Sequence, residues 1–326
     1  ASFAVSNVLA GSEYMWSVFT TCQERGRFTI GPVTLSSGDP FGLFRLQHTL
    51  PETASIVVYP PAVELRVFPV PMGQVSGGDA LRRRTHHITT NAAGVRDYAP
   101  GDSLSRVHWL STARRDRLIV KEFELDPLSD VWIVLDMARY VHVDAGVSEW
   151  RRRIEDMDRL MPWARRPQVG LPPGTEEYAV AAAASIAQYF LRGDRALGLV
   201  ACGQRREVIQ PDRGERQLTR ILETLAVLRA RGEFALHDVL NAETASFGRG
   251  TTLIIITSST DLTWTRIARH LNRSGLQVVA ILIDPQSFGR QADLAPLSAQ
   301  LTLGGIPLYI IRKDDSLVDV LSKPVY

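Results

Sequence analysis

The chain has few of the residues that mark secreted, membrane-spanning or disulfide-rich proteins. It holds only two cysteines, Cys22 and Cys202, which lie far apart and in no metal-ligand spacing. A disulfide framework is therefore not expected, and a reducing compartment fits better. The longest uncharged apolar run is Tyr178–Leu191, and Ser185 and Gln188 interrupt it. A membrane-spanning helix needs roughly 20 apolar residues, so this sequence predicts none.

The chain also lacks a strong charge of either sign and the common catalytic motifs. Lys and Arg number 37 against 35 Asp and Glu, a net charge of +2, which does not indicate a nucleic-acid partner. The glycines at 73, 77 and 78 are followed by no Lys-Ser/Thr pair, so they do not form a phosphate loop. No Gly-x-Ser-x-Gly elbow is present, and histidines such as His108 and His142 show no metal-ligand spacing, which favours surface or packing roles. We therefore expect no enzyme activity and no cofactor.

The 326 residues are enough for two domains, and the pattern changes along the chain. Residues 1–75 contain short β-rich runs at Met15–Thr21, Arg27–Ile30 and Ile56–Tyr59, with turn signals that include residues 36–40. They predict a small antiparallel sandwich or half-barrel. The proline-rich stretch from Tyr59 to Gly78 has the composition of an exit linker.

Residues 129–326 alternate between buried strands and helices, which predicts an α/β domain with an open, mostly parallel sheet flanked by helices. Gly193 and Gly275 are expected to take left-handed conformations after two helices. Residues 137–173 break the alternation and are predicted to be an insertion that contains an amphipathic helix. The predicted strands are Val131–Leu135, Ala196–Ala201, Thr252–Thr257, Gln277–Ile283 and Pro307–Ile311, and the predicted helices are Glu176–Arg192, Arg213–Arg231 and Leu262–Ser274.

The intervening segment, residues 76–128, carries the most specific motif. It has an Arg-x-Tyr pair, a Gly-Asp pair, an Arg and a Trp, an Ala-Arg pair and a Lys-Glu strand. Together with the Arg-Gly-Arg-Phe run that starts at Arg25 and the Asp-Pro-Phe-Gly-Leu-Phe run that starts at Asp39, this order resembles the domain of unknown function 58 (DUF58) family. The resemblance implies a von Willebrand A-like α/β domain and a MoxR-type AAA+ ATPase as partner. It also implies anchoring to the cytoplasmic face of the membrane through two upstream helices that this sequence does not include.

A von Willebrand A domain that binds metal places Asp-x-Ser-x-Ser after its first strand and an Asp after a later one. Here the first strand ends in Asp136, but Ala138 and Tyr140 replace the serines, and Ser258 stands where the second acid belongs. Mg²⁺ needs several oxygen ligands, so we expect a degenerate site in which Asp136 is a structural acid, paired with Arg139 or neighbours on the first strand. Asp261 is expected to cap the next helix.

The signature residues admit two interpretations. In the structural one, the arginines bind carboxylates or carbonyls while the aromatic rings pack the seam between the domains. In the functional one, the cluster is an exposed docking surface, because Arg, Tyr and Trp dominate interaction hot spots. The residues concerned are Arg96, Tyr98, Asp102, Arg106, Trp109 and Arg114.

Three functions follow from these observations. The first is a non-enzymatic interaction module that couples a MoxR-type ATPase to a protein client or to the membrane, with the insertion at 137–173 as part of its contact surface. The second is a Mg²⁺-dependent adhesive domain that uses Asp136. The third is an uncharacterised hydrolase on the same scaffold.

Overall fold

A computed structural model gives the fold of the chain. It describes residues 11–15, 17, 22–39, 41, 43–70, 92–98, 107–115, 117–123, 130–160 and 170–324. Among these residues, the structure contains no helix that is both long enough and apolar enough to cross a bilayer.

The first part of the chain forms two antiparallel strand pairs. Strand β1 (Gly26–Ile30) pairs with β4 (Ala54–Val58), and β2 (Val33–Gly38) pairs with β3 (Arg45–Leu50). The predicted β character is confirmed for β1 and β4, whereas most of the predicted first strand, Met15–Thr21, lies outside the described residues. The residues at 36–38 were expected to form a turn, but they continue β2. The turn comes later, where the Asp39 carboxylate accepts hydrogen bonds from the Phe41 amide at 3.0 Å and the Phe44 amide at 2.6 Å.

The hairpin of β2 and β3 has one apolar and one polar face. Val33 lies opposite Leu50 and Ser37 opposite Leu46, while the alternate positions hold Thr34 and Thr49. Period-two alternation of this kind is typical of a sheet with one face meant for burial. Most of the large apolar side chains of this hairpin are nevertheless exposed to solvent.

The signature segment folds as two strands and a short helix. Strand β5 (Ala92–Asp97) pairs antiparallel with β6 (Ile119–Phe123), and helix α1 (Trp109–Arg115) lies between them in sequence. Ile119 and Val120 are buried, and Val107 makes an antiparallel bridge to Val120, so β6 is the buried strand of this segment.

The remaining residues form the predicted α/β unit. Its strands are β7 (Val131–Leu135), β8 (Leu197–Cys202), β9 (Arg206–Asp212), β10 (Thr252–Thr257), β11 (Gln277–Ile283) and β12 (Leu308–Ile311). Its helices are α2 (Val147–Leu160), α3 (Thr175–Arg192), α4 (Gly214–Val227), α5 (Leu236–Glu243), α6 (Thr263–Arg273), α7 (Ala295–Leu303) and α8 (Leu317–Leu321), with a 3₁₀ turn at Thr244–Ser246. The amphipathic helix predicted within the insertion is α2.

The six strands form one sheet in the order β12-β11-β10-β7-β8-β9. All neighbours are parallel except β8 and β9, which are antiparallel. The mostly parallel sheet is therefore confirmed, with β9 as an edge strand that was not predicted. In this sheet β8, the next strand in sequence, lies on one side of β7, and β10 lies on the other side of β7. The carboxyl ends of β7 and β10 thus mark the point where the strand order reverses, the usual place for a ligand in such sheets.

Helix α3 covers one face of this sheet with small side chains. Ala181, Ala182, Ala183 and Ala184 are all buried, which brings the helix close to the strands beneath it. The opposite face packs against Trp264 of α6 and neighbouring apolar residues. The continuous apolar runs of the central strands are explained by this burial on both faces.

The two glycines predicted to end helices behave differently. Gly275 follows α6 with φ +95°, as expected. Gly193 follows α3 with φ −81°, so the prediction of a left-handed conformation there is wrong. Asp194 takes that conformation instead, with φ +54°. Aspartate tolerates it better than most residues because its short side chain can bond locally.

Residues 63–70, within the expected exit linker, pack as a strap on the α/β unit. Phe68 is buried against the rings of Phe190 and Tyr309, with centroids 6.0 and 5.2 Å away. The Tyr309 hydroxyl donates to the Pro69 carbonyl at 2.6 Å, and the Val63 amide donates to the Ser185 hydroxyl at 3.0 Å. This part of the stretch is a component of the core of the α/β unit and not a solvated spacer.

Candidate functional site

Asp136 lies at the reversal point of the sheet, directly after β7. Its amide donates to the Ile256 carbonyl of β10 at 2.9 Å, which brings the two strand ends together. One carboxylate oxygen of Asp136 accepts the Thr257 hydroxyl at 2.6 Å, and the other accepts the Ala138 amide at 3.1 Å. The partners of its carboxylate are thus Thr257 and Ala138, and not Arg139 or a neighbour on the first strand, as expected. That Asp136 is a structural acid stays a prediction.

Burial raises the pKa of the Asp136 carboxyl group above its ordinary value. The hydrogen bonds from Thr257 and from the Ala138 amide act in the opposite direction, because they stabilise the charged form. The residue is only 5% exposed. Each carboxylate oxygen thus has a hydrogen-bond donor within the protein.

The backbone at Gly232 packs beside the residues that follow Asp136. The Gly232 amide donates to the Met137 carbonyl at 2.9 Å, and the Arg139 amide donates to the Gly232 carbonyl at 2.8 Å. A Cβ atom at position 232 would come within 2.0 Å of the Cys202 carbonyl oxygen, so only glycine fits there. The Gly232 backbone therefore packs tightly against the end of β8 and the residues that follow β7.

The loop after β10 holds the second group of expected site residues. The Thr257 hydroxyl accepts the Ser259 amide at 2.8 Å, and the Asp261 carboxylate accepts the Thr263 amide at 3.0 Å. The prediction that Asp261 caps the next helix is confirmed. The Ser258 hydroxyl is buried and has no hydrogen-bond partner within the described part of the chain. Within that same part, no three His, Cys, Asp or Glu residues are grouped so that they could hold a metal ion.

His142 connects this strand end to the start of α3. Its Nε2 lies 2.9 Å from the Asp136 carbonyl oxygen, and its Nδ1 lies 3.1 Å from the Thr175 hydroxyl. A neutral ring that donates from Nε2 and accepts at Nδ1 satisfies both contacts. Burial lowers the pKa of His142, which favours this neutral form. The residue packs, as expected, but its contact with Asp136 has no signal in the sequence.

Arg25 joins the small β domain to the α/β unit. Its guanidinium group is buried and donates to the Glu176 and Glu177 carboxylates at 2.5 and 2.9 Å. It also donates to the carbonyls of Leu225 and Leu228 at 2.6 and 2.5 Å, at the end of α4. The planar group with five donors suits a position that presents several acceptors at once.

Two further arginines reinforce this seam. Arg229 donates to the Arg25 carbonyl at 2.9 Å and lies 3.7 Å from the Glu176 carboxylate. Arg151 of α2 makes a two-pronged ion pair with Glu24, at 2.5 and 2.9 Å. The insertion that carries α2 therefore contacts the β domain. Sequence analysis identified the motif at Arg25 but not its partners, which lie 151 and 152 residues away.

The structure places the signature residues apart from this seam. Arg96 lies in β5, and the Tyr98 amide donates to the Leu118 carbonyl at 2.9 Å. Asp102 and Arg106 lie outside the described residues. Trp109 begins α1, and Arg114 is on its exposed surface.

Trp109 does not pack the seam between the domains, contrary to the structural interpretation. Its side chain is 65% exposed, and the adjacent Leu110 is 61% exposed. Tyr98, by contrast, is half-buried. Trp109 and Arg114 are thus exposed to solvent, and their role in a docking surface, the second of the two interpretations, stays a prediction.

Comparison with known proteins agrees with the motif of the signature segment. Residues 94–154 match the family described as "Protein of unknown function DUF58". A curated relative, the uncharacterized protein YeaD of Bacillus subtilis (strain 168), is 28% identical over 112 residues. That match spans 34% of this chain and 28% of the relative, so most of the relative's length lies outside it.

Solved structures show weaker likeness. An aerotolerance-related membrane protein from Bacteroides fragilis NCTC 9343, with multiple mutations to serines, is 14% identical at a TM-score of 0.37, over 59% of this chain and 94% of that one. The conserved hypothetical protein BatB from Bacteroides thetaiotaomicron is also 14% identical at a TM-score of 0.37, over 58% and 91%. The match of residues 94–154 and the YeaD relative make this part of the chain similar to the DUF58 family.

Proposed function

We propose that this chain is a non-enzymatic interaction module that works with a MoxR-type AAA+ ATPase at the cytoplasmic face of the membrane. In this proposal the α/β unit is of the von Willebrand A type with a degenerate metal site. The DUF58 match supports the family context, and the exposed surface of α1 lies within the matched residues.

The observation that carries the proposal is the exposure of Trp109 and Leu110. Two adjacent large apolar side chains facing water are costly unless a partner covers them, and Trp is the residue most enriched at the centres of interfaces. Arg114 is on the same short helix, and arginine is also enriched at the centres of interfaces. We therefore assign the ATPase contact to this surface of α1.

The reversal point of the sheet supports a role without small-molecule chemistry. The Asp136 carboxylate accepts a hydrogen bond on each oxygen, and the Gly232 backbone is bonded to Met137 and Arg139 beside it. Either a metal-dependent adhesive domain or a hydrolase would require an open site with free ligands at this edge. Both alternatives are therefore less favoured than the interaction module.

The test is binding of the purified chain to a purified MoxR-type ATPase in the presence of ATP, measured by surface plasmon resonance. Replacing Trp109 with Ala and Leu110 with Ser together should weaken binding by about 30-fold or more, because truncation of a central hot-spot residue costs about 2 kcal/mol or more. The matched control is Leu303→Ser on α7, which also removes a highly exposed leucine but lies far along the chain.

Retained binding by the double variant would refute the assignment to α1. Absence of binding by the unaltered chain would refute the ATPase partnership itself. Equal weakening by Leu303→Ser would show that any loss of exposed apolar area has this effect, and it would also count against the proposal. Circular dichroism spectra of all variants establish that each remains folded.

A further inference from the structure

A groove runs along the seam between the β domain and helix α2. It consists of two adjoining cavities of about 270 and 340 Å³. Both are lined by Glu24 and Arg151, whose ion pair lies where they meet. One compartment is mainly apolar and the other is rich in charged groups.

The apolar compartment lies between β1 and one face of α2. Phe28 contributes from the strand, and Trp150 and Ile154 contribute from successive turns of the helix. Trp150 and Ile154 are each 9% exposed, whereas Phe28 is 42% exposed. This compartment has the size and lining to take one large apolar side chain.

The charged compartment carries an excess of carboxylates. Its lining includes the four acids Glu24, Asp144, Glu176 and Glu177 and the two arginines Arg151 and Arg229. The lining groups therefore sum to a charge of 2 − 4 = −2 with His142 neutral, and the buried Arg25 behind the wall reduces this to −1.

Asp144 is the acid of this lining that enters no ion pair in the described structure. Its carboxylate instead accepts the amides of Gly146 and Val147 at 3.0 and 2.7 Å, which starts α2. It is exposed to solvent, so an incoming ligand can reach it.

From this arrangement we propose that the groove binds an extended peptide segment of a client protein, with a Lys or Arg side chain near a large apolar one. The cationic side chain enters the compartment of Asp144 and Glu177, and the apolar side chain packs on Phe28 and Trp150. This inference rests on the interaction-module function and adds the chemistry of a second partner. Charge complementarity favours this occupant over an acidic or a purely apolar one.

An extended chain can present one side chain to each of the two compartments, which adjoin at Glu24 and Arg151. Side chains two residues apart on a strand point the same way and lie about 7 Å from each other. The Glu24–Arg151 pair between the compartments is partly exposed, at 29% and 52% of the two side chains. Exposed ion pairs contribute little to stability, so a ligand can displace this pair at small cost.

The experiment uses the full chain and an array of fluorescein-labelled 12-residue peptides. Each peptide contains one Leu and one Lys in a Gly-Ser background, separated by zero to three residues, and a matched array replaces Lys with Glu. Fluorescence anisotropy reports binding. We expect the Lys array to bind, with a preferred spacing, and the Glu array to bind at least about fivefold more weakly.

Variants with matched controls locate the site. Asp144→Asn keeps an oxygen that can start α2 but removes the charge, and it should weaken the Lys peptides about threefold to fivefold. Phe28→Ala should weaken them further by removing apolar contact. The control for Asp144→Asn is Asp156→Asn, which removes an exposed charge from α2 outside the groove lining. The control for Phe28→Ala is Ile30→Ala, which removes an exposed apolar side chain from β1 outside the lining. Both controls should leave binding unchanged.

Three results would overturn the inference: no binding of any peptide, equal binding of the Lys and Glu arrays, or binding that the groove variants do not alter. The ATPase measurement separates the two proposals. If the peptides bind and the ATPase does not, the groove stands and the ATPase partnership fails. If the ATPase binds and the peptides do not, only the groove inference fails.

Discussion

Replacement of Arg25 with Met tests how the β domain is held on the α/β unit. The variant keeps an apolar stem of similar length but removes a guanidinium group that contacts two carboxylates and the backbone at the end of α4. Loss of one partner from a buried ion pair costs about 3–5 kcal/mol, because the other charge is left uncompensated. Glu176 and Glu177 keep 24% and 18% of their side-chain exposure, so water relieves part of this cost.

Arg229 reduces the loss further. It lies 3.7 and 3.8 Å from the two carboxylates and remains in the variant. We therefore expect a decrease of about 3 kcal/mol in the free energy of unfolding, at the low end of the range for buried pairs. For a urea dependence of about 3 kcal/mol per molar, this lowers the midpoint of unfolding by about 1 M.

Urea unfolding should be followed by far-ultraviolet circular dichroism and by tryptophan fluorescence, because two structural units need not unfold together. Arg27→Met is the control, since Arg27 is exposed and lies two residues further along the chain, in β1. The double variant Arg25→Met/Glu176→Gln should regain part of the loss, because it no longer leaves that carboxylate unpaired. A change of less than about 1 kcal/mol in Arg25→Met would refute the reasoning, since it lies well below the cost of an unpaired buried charge.

Two predictions concern the acid at the reversal point. Thr257→Val removes a hydrogen bond that lowers the pKa of Asp136, so this already raised pKa should rise further. The native state then holds its proton to higher pH than the unfolded chain does, and the loss of stability should be larger near about pH 7 than near about pH 4. Urea midpoints at both pH values check this, and equal losses at both would contradict it. The control is Thr224→Val, which removes a hydroxyl from a half-buried helix position where it bonds the Arg220 carbonyl. Addition of millimolar Mg²⁺ should leave the melting temperature of the protein unchanged, because both oxygens of the buried Asp136 carboxylate are hydrogen-bonded within the protein. Calorimetric binding of Mg²⁺ that Asp136→Asn abolishes would show this prediction to be wrong.

The elements that sequence analysis located best are those buried on both faces. Strands β10 and β11 match their predicted limits because each is a continuous apolar run that ends at a polar residue. Strand β9 was missed because this antiparallel edge strand has only two adjacent aliphatic residues, Val208 and Ile209, and contains Pro211. Helix α5 was also not predicted, because its eight residues are too few to show a clear helical period.

The contacts that build the site could not be predicted, for a different reason. The Asp136–Thr257 hydrogen bond joins residues 121 positions apart. The position of Asp136 could be predicted from the end of its strand. Nothing in the sequence indicates that Thr257, and not the adjacent Ser258, faces the carboxylate. That choice depends on which side of the sheet each residue points to after the strand ends, and a shift of one residue reverses it.

The strap at residues 63–70 affects how the protein can be dissected. A fragment that started at the first strand of the large sheet would lose Phe68 and leave the rings of Phe190 and Tyr309 without their apolar cover. Such a fragment should aggregate even though its sheet is complete. A soluble α/β fragment would have to start before Val63, so the natural division of this polypeptide falls upstream of the boundary that composition indicates.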